Sequence, residues 1–167
     1  MKPTAIFICT ILFVCLAWDS ARAERREVFS GIAKEKGKIV YTENHEVTFD
    51  DKGQALEAKT TYVSPEGKTL GVLKSDFRIS LSLPEHIFLD ERTKGKYGIR
   101  RTDGNIVLFN QDDGKSEQKL ELSDQKDKER VQIGCQGFNY FLKNEIDRLK
   151  TAKTQPVLFM IPGDLST

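Results

Sequence analysis

The sequence predicts an α+β, strand-rich fold: a curved antiparallel β-meander, half-barrel-like, packed against one C-terminal amphipathic helix. Two patterns carry this expectation. Turn signals that end in glycine recur through the first two thirds of the chain, with β-branched and aromatic residues filling the segments between them. Beyond them a single apolar stripe with helical spacing runs through Phe138, Phe141, Leu142, Ile146 and Leu149.

The chain opens with a different kind of segment. Lys2 supplies a short positive region, an apolar stretch follows from Ala5 to Ala17, and Ala21-Arg22-Ala23 places small residues where a signal peptidase reads them. Residues 1–23 therefore read as a cleavable signal peptide, with cut ends at Ala23 and Glu24. A membrane anchor needs about 20 apolar residues, and Asp19 and Arg22 close this run early. Lipidation at Cys15 would put Val14, which is not small, before the modified cysteine.

The expected product is a single β-rich domain over 24–167, periplasmic or secreted, that meets a membrane only through its signal peptide. Cys9 and Cys15 leave with that peptide, so Cys135 stands alone and no intramolecular disulfide is expected. Such a domain must rely on its core, and domains near this length bury roughly 70% of their unfolded surface. The absence of an Asn-x-Ser/Thr sequon fits a bacterial periplasm.

Charge argues against one partner class. The chain has 26 Lys+Arg and 25 Asp+Glu. The signal peptide takes Lys2, Arg22 and Asp19, which leaves the remainder formally neutral. No basic excess is available for nucleic acid, and interspersed charges of both signs read as a solvated surface.

Asp50-Asp51-Lys52-Gly53, Ser64-Pro65-Glu66-Gly67, Thr102-Asp103-Gly104 and Asp112-Asp113-Gly114 are the turns. Between them strands are expected over 37–49, 55–63, 69–81, 97–101, 105–110 and 117–122. Pro84 lacks a ladder donor, so 83–93 reads as a loop crossing between hairpins. Residues 111–130 are densely charged and read as a flexible loop carrying a short exposed strand at 119–122. The helix, opened by Gly137 and stopped by Pro156, spans about four turns at most. Val157 to Ile161 then forms a buried strand. A strand this apolar needs cover on both faces, and only Pro162 to Thr167 follow. The domain is therefore expected to be C-terminally incomplete or covered by the earlier sheet and helix.

Several segments together resemble an uncharacterised family of exported proteins of Gram-negative bacteria: Val40-Tyr41-Thr42-Glu43-Asn44-His45, Tyr62 with Pro65-Glu66-Gly67, Asp76-Phe77, Asp90-Glu91-Arg92 with Gly95 and Gly98, Gly137 to Phe141 before Leu149, and Val157 to Pro162. The resemblance covers most of 31–162 and implies export but no activity. At the level of architecture alone, a curved sheet over one helix is similar to the periplasmic lipoprotein carriers, whose half-barrel holds acyl chains.

Candidate site residues are few. On a strand, Tyr41, Glu43, His45, Val47 and Phe49 share one face, so Glu43 and His45 are expected to pair, half-buried, at the rim of a covered sheet. That pair could serve as an acid/base dyad or as a structural contact; the structural contact is the expectation. Asp90 and Arg92 could orient an anionic ligand or simply brace the Pro84 loop. Arg100-Arg101 reads as solvated. Cys135 reads as packed under the helix, the alternative being a thiol acidified by the helix start. No metal-ligand spacing, nucleophile elbow or cofactor fingerprint occurs, so no cofactor and no metal are expected. The function expected first is a non-enzymatic binding or carrier-like module for an apolar or lipidic ligand. An envelope structural or interaction protein is the alternative, and an enzyme built on Glu43 and His45 comes last.

Overall fold

A computed structural model describes residues 24–123, 131–151, 156–162 and Leu165. The expected signal peptide, residues 1–23, and the Ala23 side of its expected cleavage site lie outside the described residues. Eight strands run in chain order: β1 (Arg25–Glu35), β2 (Lys38–Phe49), β3 (Ala55–Val63), β4 (Thr69–Asp76), β5 (Glu85–Asp90), β6 (Lys96–Thr102), β7 (Asn105–Gln111) and β8 (Gln118–Ser123). They form one antiparallel sheet in which every strand pairs with its sequence neighbours. The sheet is not closed; β1 and β8 are its edges.

The expected strands are therefore present, with two additions. β1 was not anticipated, because Arg25 to Glu35 mixes charges and apolar residues on both faces and lacks clean alternation. Lys36 and Gly37 join it to β2 with φ values of 48° and 81°. Two central residues with positive φ match the twist of a tight hairpin, which glycine adopts without strain. Asp103 and Gly104 repeat this turn between β6 and β7.

The second addition corrects the expected loop at 83–93. Glu85–Asp90 is an interior strand, paired to β4 on one side and β6 on the other. Pro84 removes only its own donor, and it lies just ahead of the ladder, where that donor is not needed. The true irregular crossing is shorter and earlier, from Phe77 to Pro84, and it truncates the strand expected to reach Leu81.

Beyond β8 the chain makes β9 (Val131–Gly134), a 3-10 turn (Cys135–Gly137), α1 (Phe138–Lys150) and β10 (Val157–Met160). β9 and β10 pair in parallel, so α1 is the crossover that parallel neighbours require. β9 was missed because it follows the charged stretch, whose residues 124–130 lie outside the described residues. The expected strand at 119–122 is β8, one residue longer at each end.

Cross-strand partners share a face. One face of the sheet carries Val47, Leu73, Ile99, Ile106 and Leu108, all buried. Leu83 and Met160 pack on its β6–β8 half, with Leu120, Leu122, Leu158 and Leu165 around them. Val47, Ala55 and Phe77 form a second cluster with Phe49, Ala58, Leu81 and Tyr140.

The helix has the expected span, but its stripe does not lie flat on the sheet. Phe141 is 7% exposed, whereas Phe138 and Ile146 are 40% and 45% exposed. Leu142 is half-buried, and the side chain of Leu149 lies outside the described residues. The irregular crossing intervenes: Tyr140 packs on Phe77 with centroids 5.1 Å apart, and Phe141 faces a cleft shared with Phe77, Leu81 and Val131. β10 is likewise covered on one face only. Met160 is buried, while Val157 and Phe159 are exposed, and Phe159 meets Phe138 edge to face at 5.8 Å.

Candidate functional site

The sheet's inner face carries a run of aromatic rings across four strands. Tyr41 on β2 meets Tyr62 on β3 at 5.7 Å, Tyr62 meets Phe88 on β5 at 5.7 Å, and Phe88 meets Tyr97 on β6 at 5.0 Å. Tyr62 and Phe88 are not on adjacent strands. They touch because Gly71 of β4 lies between them without a side chain; a Cβ there would fall 2.5 Å from Phe88 Cζ. Such edge and tilted ring pairs contribute about 0.5–1.5 kcal/mol each beyond area burial.

These rings line a cleft of about 370 Å³, with Leu70, Leu73, His86 and Arg92 beside them and Cys135, Gln136, Ile161 and Pro162 across from them. The cleft thus lies between the sheet and the segments that start α1 and follow β10. Burial pushes the Tyr62 hydroxyl up to about 12, and the nearby Glu43 carboxylate adds to the shift. Burial also raises Tyr97, with Asp90 reinforcing it. Both phenols therefore stay protonated at neutral pH and can donate a hydrogen bond in a cleft whose other polar side chains include His86, Arg92 and Gln136.

The expected Glu43–His45 pair is present. His45 Nε2 lies 3.1 Å from Glu43 Oε2, and His45 Nδ1 lies 2.9 Å from Thr60 Oγ1. A neutral ring that donates from Nε2 to the carboxylate satisfies both contacts by accepting at Nδ1 from the Thr60 hydroxyl. Phe29 of β1 stacks on the imidazole at 4.7 Å. Every polar atom of the ring is occupied, which is the condition of a structural pair.

Asp90 and Arg92 also pair. Arg92 donates from Nε and Nη2 to the two Asp90 oxygens at 3.0 and 2.7 Å, and the backbone N–H groups of Arg92 and Thr93 donate to Oδ1. The Arg92 guanidinium, aided by these amides, holds the Asp90 carboxyl down at about 2. The pair braces the β5–β6 turn rather than the Pro84 segment expected from sequence.

The two pairs do not converge. Glu43 lies opposite Tyr62, Tyr62 opposite Gly71, and Gly71 opposite Asp90. Three interstrand spacings of about 4.8 Å each separate the carboxylates, with the Tyr62 and Phe88 rings between them. Of the four expected site residues only Arg92 lines the aromatic cleft.

Cys135 is exposed rather than packed under the helix. Partial shielding of its thiol raises its pKa, opposite to the acidified alternative, and Sγ lies 3.8 Å from the Met160 carbonyl oxygen. Arg100 is not merely solvated: it forms a two-point pair with Glu117 at 3.0 and 2.6 Å and lies over the Phe109 ring at 4.6 Å.

His86 was missed. It is 6% exposed, and its Nδ1 lies 3.4 Å from the Pro84 carbonyl oxygen. Burial lowers its pKa, so the ring is neutral. It borders both the aromatic cleft and a larger groove of about 740 Å³ on the opposite face. Only the register of β5 could have revealed this, and sequence placed that segment in a loop. The larger groove is mixed: Glu46, Lys59, Lys74 and Asp76 line it together with Ile87 and Phe109.

Among the described residues no cluster of His, Cys, Asp and Glu could hold a metal ion, and no helix is long and apolar enough to cross a membrane. The chain matches no known protein-family model, no curated protein and no solved structure.

Proposed function

We propose that this chain is an exported, non-enzymatic binding module that takes a small apolar ligand in the aromatic cleft. The observation that carries the reading is the Tyr41–Tyr62–Phe88–Tyr97 wall of a space of about 370 Å³. Ligand sites are concave, mostly apolar and about 300–1,000 Å³, with a few placed polar groups. The protonated tyrosine hydroxyls supply those groups. A location in the periplasm or outside the cell follows from the signal-peptide reading of residues 1–23.

A half-barrel shape is supported by the larger groove, which is lined both by Arg26 of β1 and by Glu117 next to β8. On a flat sheet those edges would lie about seven strand spacings of 4.8 Å apart. Ile87, Ile99 and Phe109 share that groove with charged side chains of both signs, whereas four aromatic rings wall the smaller cleft, so the ligand reading rests on the smaller cleft. An envelope interaction role is the second reading, favoured by the exposed apolar residues of edge strand β1.

Native mass spectrometry of the protein isolated from a Gram-negative periplasm tests the ligand reading. A retained small molecule that is lost in a Phe88→Ala variant supports it. A protein that carries nothing, and that fails to take up an apolar fluorescent probe displaced by long-chain alcohols, overturns it.

A further inference from the structure

The two edges of the sheet are built differently. β8 alternates Lys119 and Glu121 with core-facing Leu120 and Leu122, the charged edge that discourages further pairing. β1 has its charges at the ends, Arg25 to Glu27 and Lys34 to Glu35, and an uncharged centre from Val28 to Ala33. Val28, Phe29 and Ile32 are 69%, 51% and 59% exposed. A long edge with an apolar, uncharged centre is a template for another strand.

We infer that the occupant is a second copy of this chain, joined by antiparallel β1–β1 pairing about a two-fold axis at Ser30. A two-fold axis normal to the sheet keeps each residue on its face, so partners must differ by an even number of positions. Centred on Ser30, the register sets Val28 against Ile32 of the partner on one face. On the other it sets Phe29 against Gly31, Glu27 against Ala33, and Arg25 against Glu35. Large meets small, apolar meets apolar, and opposite charges meet at the ends.

The large-to-small match matters most at Gly31. Gly31 carries no side chain beside the Phe29 ring, which already stacks on His45, and a Cβ there would stand 3.6 Å from Glu43 Oε2. An aromatic ring over a cross-strand glycine is a favourable way to cover that backbone. One like-charge contact remains, Arg26 with Lys34, and Arg26 is already held by Glu46. Neighbouring registers are worse. A shift one way sets Glu27 against Glu35; a shift the other way sets Ile32 against Arg26 and leaves Val28 opposite Ser30.

Pairing by this edge would continue the eight-stranded sheet into the partner and leave both aromatic clefts open. It is independent of the ligand reading.

Sedimentation velocity of the protein purified from cells expressing the full sequence tests the dimer over a concentration series. The parent is expected to shift from monomer to dimer, and Val28→Lys and Ile32→Lys to remain monomeric. Val28 faces Glu46 across the β1–β2 ladder, so a lysine there suits the monomer fold; circular dichroism checks that fold. Register is read by cross-linking in a Cys135→Ser background. Ser30→Cys meets its own copy at the axis and is expected to form a disulfide dimer rapidly, whereas Ile32→Cys, several residues from its own copy, is not. A parent that is monomeric throughout overturns the inference, as does a dimer that survives both lysine variants. Equal cross-linking by the two cysteine variants overturns the register.

Discussion

Glu43 and His45 stand two residues apart on β2 and face the same side, and the carboxylate Oε2 lies 3.1 Å from the ring Nε2. The ring's other nitrogen is taken by Thr60, and Phe29 covers its face. An acid/base dyad that works through its imidazole must present a ring nitrogen to a substrate, and here both ring nitrogens are engaged. His45→Ala is expected to cost about 1–3 kcal/mol by leaving partly buried partners unsatisfied. Glu43→Gln keeps an acceptor for Nε2 and is expected to cost less. Urea melts of the two variants check the order; a reversed order would mean the ring is not held as described.

Phe141 and Phe138 differ in burial although both belong to the apolar stripe of α1. Phe141→Ala is expected to cost about 3–5 kcal/mol through lost transfer energy and a residual cavity. Phe138→Ala removes an exposed ring and its edge contact with Phe159, so about 1 kcal/mol is expected. Equal losses in urea melts would show the helix docked on a different face.

His86 gives a pH signature. Burial holds its pKa below the ordinary 6.5. On acidification the unfolded chain takes up the proton first, so the His86 contribution to stability is full above 6.5 and is lost as pH falls toward the folded value. His86→Asn keeps a donor for the Pro84 carbonyl and removes the titration. The parent's urea midpoint is expected to fall more steeply below 6.5 than the variant's. Parallel curves would show that the ring is not buried in solution.

Asp90 acts in a more acidic window. Its carboxyl is lowered from 3.8 to about 2, so its stabilising contribution is present above 3.8 and disappears as pH falls through 2. Asp90→Asn is expected to flatten the acid limb of the stability curve in that window and leave the limb near neutrality unchanged. Acid titration followed by tyrosine fluorescence measures both limbs.

Residues 1–23 are expected to be absent from the exported protein, which should begin at Glu24. N-terminal sequencing of the periplasmic fraction decides this. A product that keeps those residues and sediments with membranes sinks the export reading.

Local rules were enough for much of this fold. Alternating β-branched and aromatic residues between glycine turns located β2, β3, β6, β7 and β8, because side-chain period and turn φ are properties of short segments. The stripe from Phe138 to Leu149 located α1 for the same reason, and the pairing of Glu43 with His45 followed from the period of one strand.

Tertiary structure decided the rest, since it depends on which segments meet. Pro84 signals a break, yet β4 and β6 supply partners on both sides and make the next residues an interior strand. β1 lacks clean alternation, and only its pairing with β2 along its whole length makes it a strand. Phe141 is buried and Phe138 is not because the Phe77–Pro84 crossing, rather than the flat of the sheet, receives the helix. The aromatic cleft depends on the register of five strands, β2 to β6, with Gly71 of β4 between two of the rings. No single stretch of the chain contains that arrangement; long-range pairing assembles it.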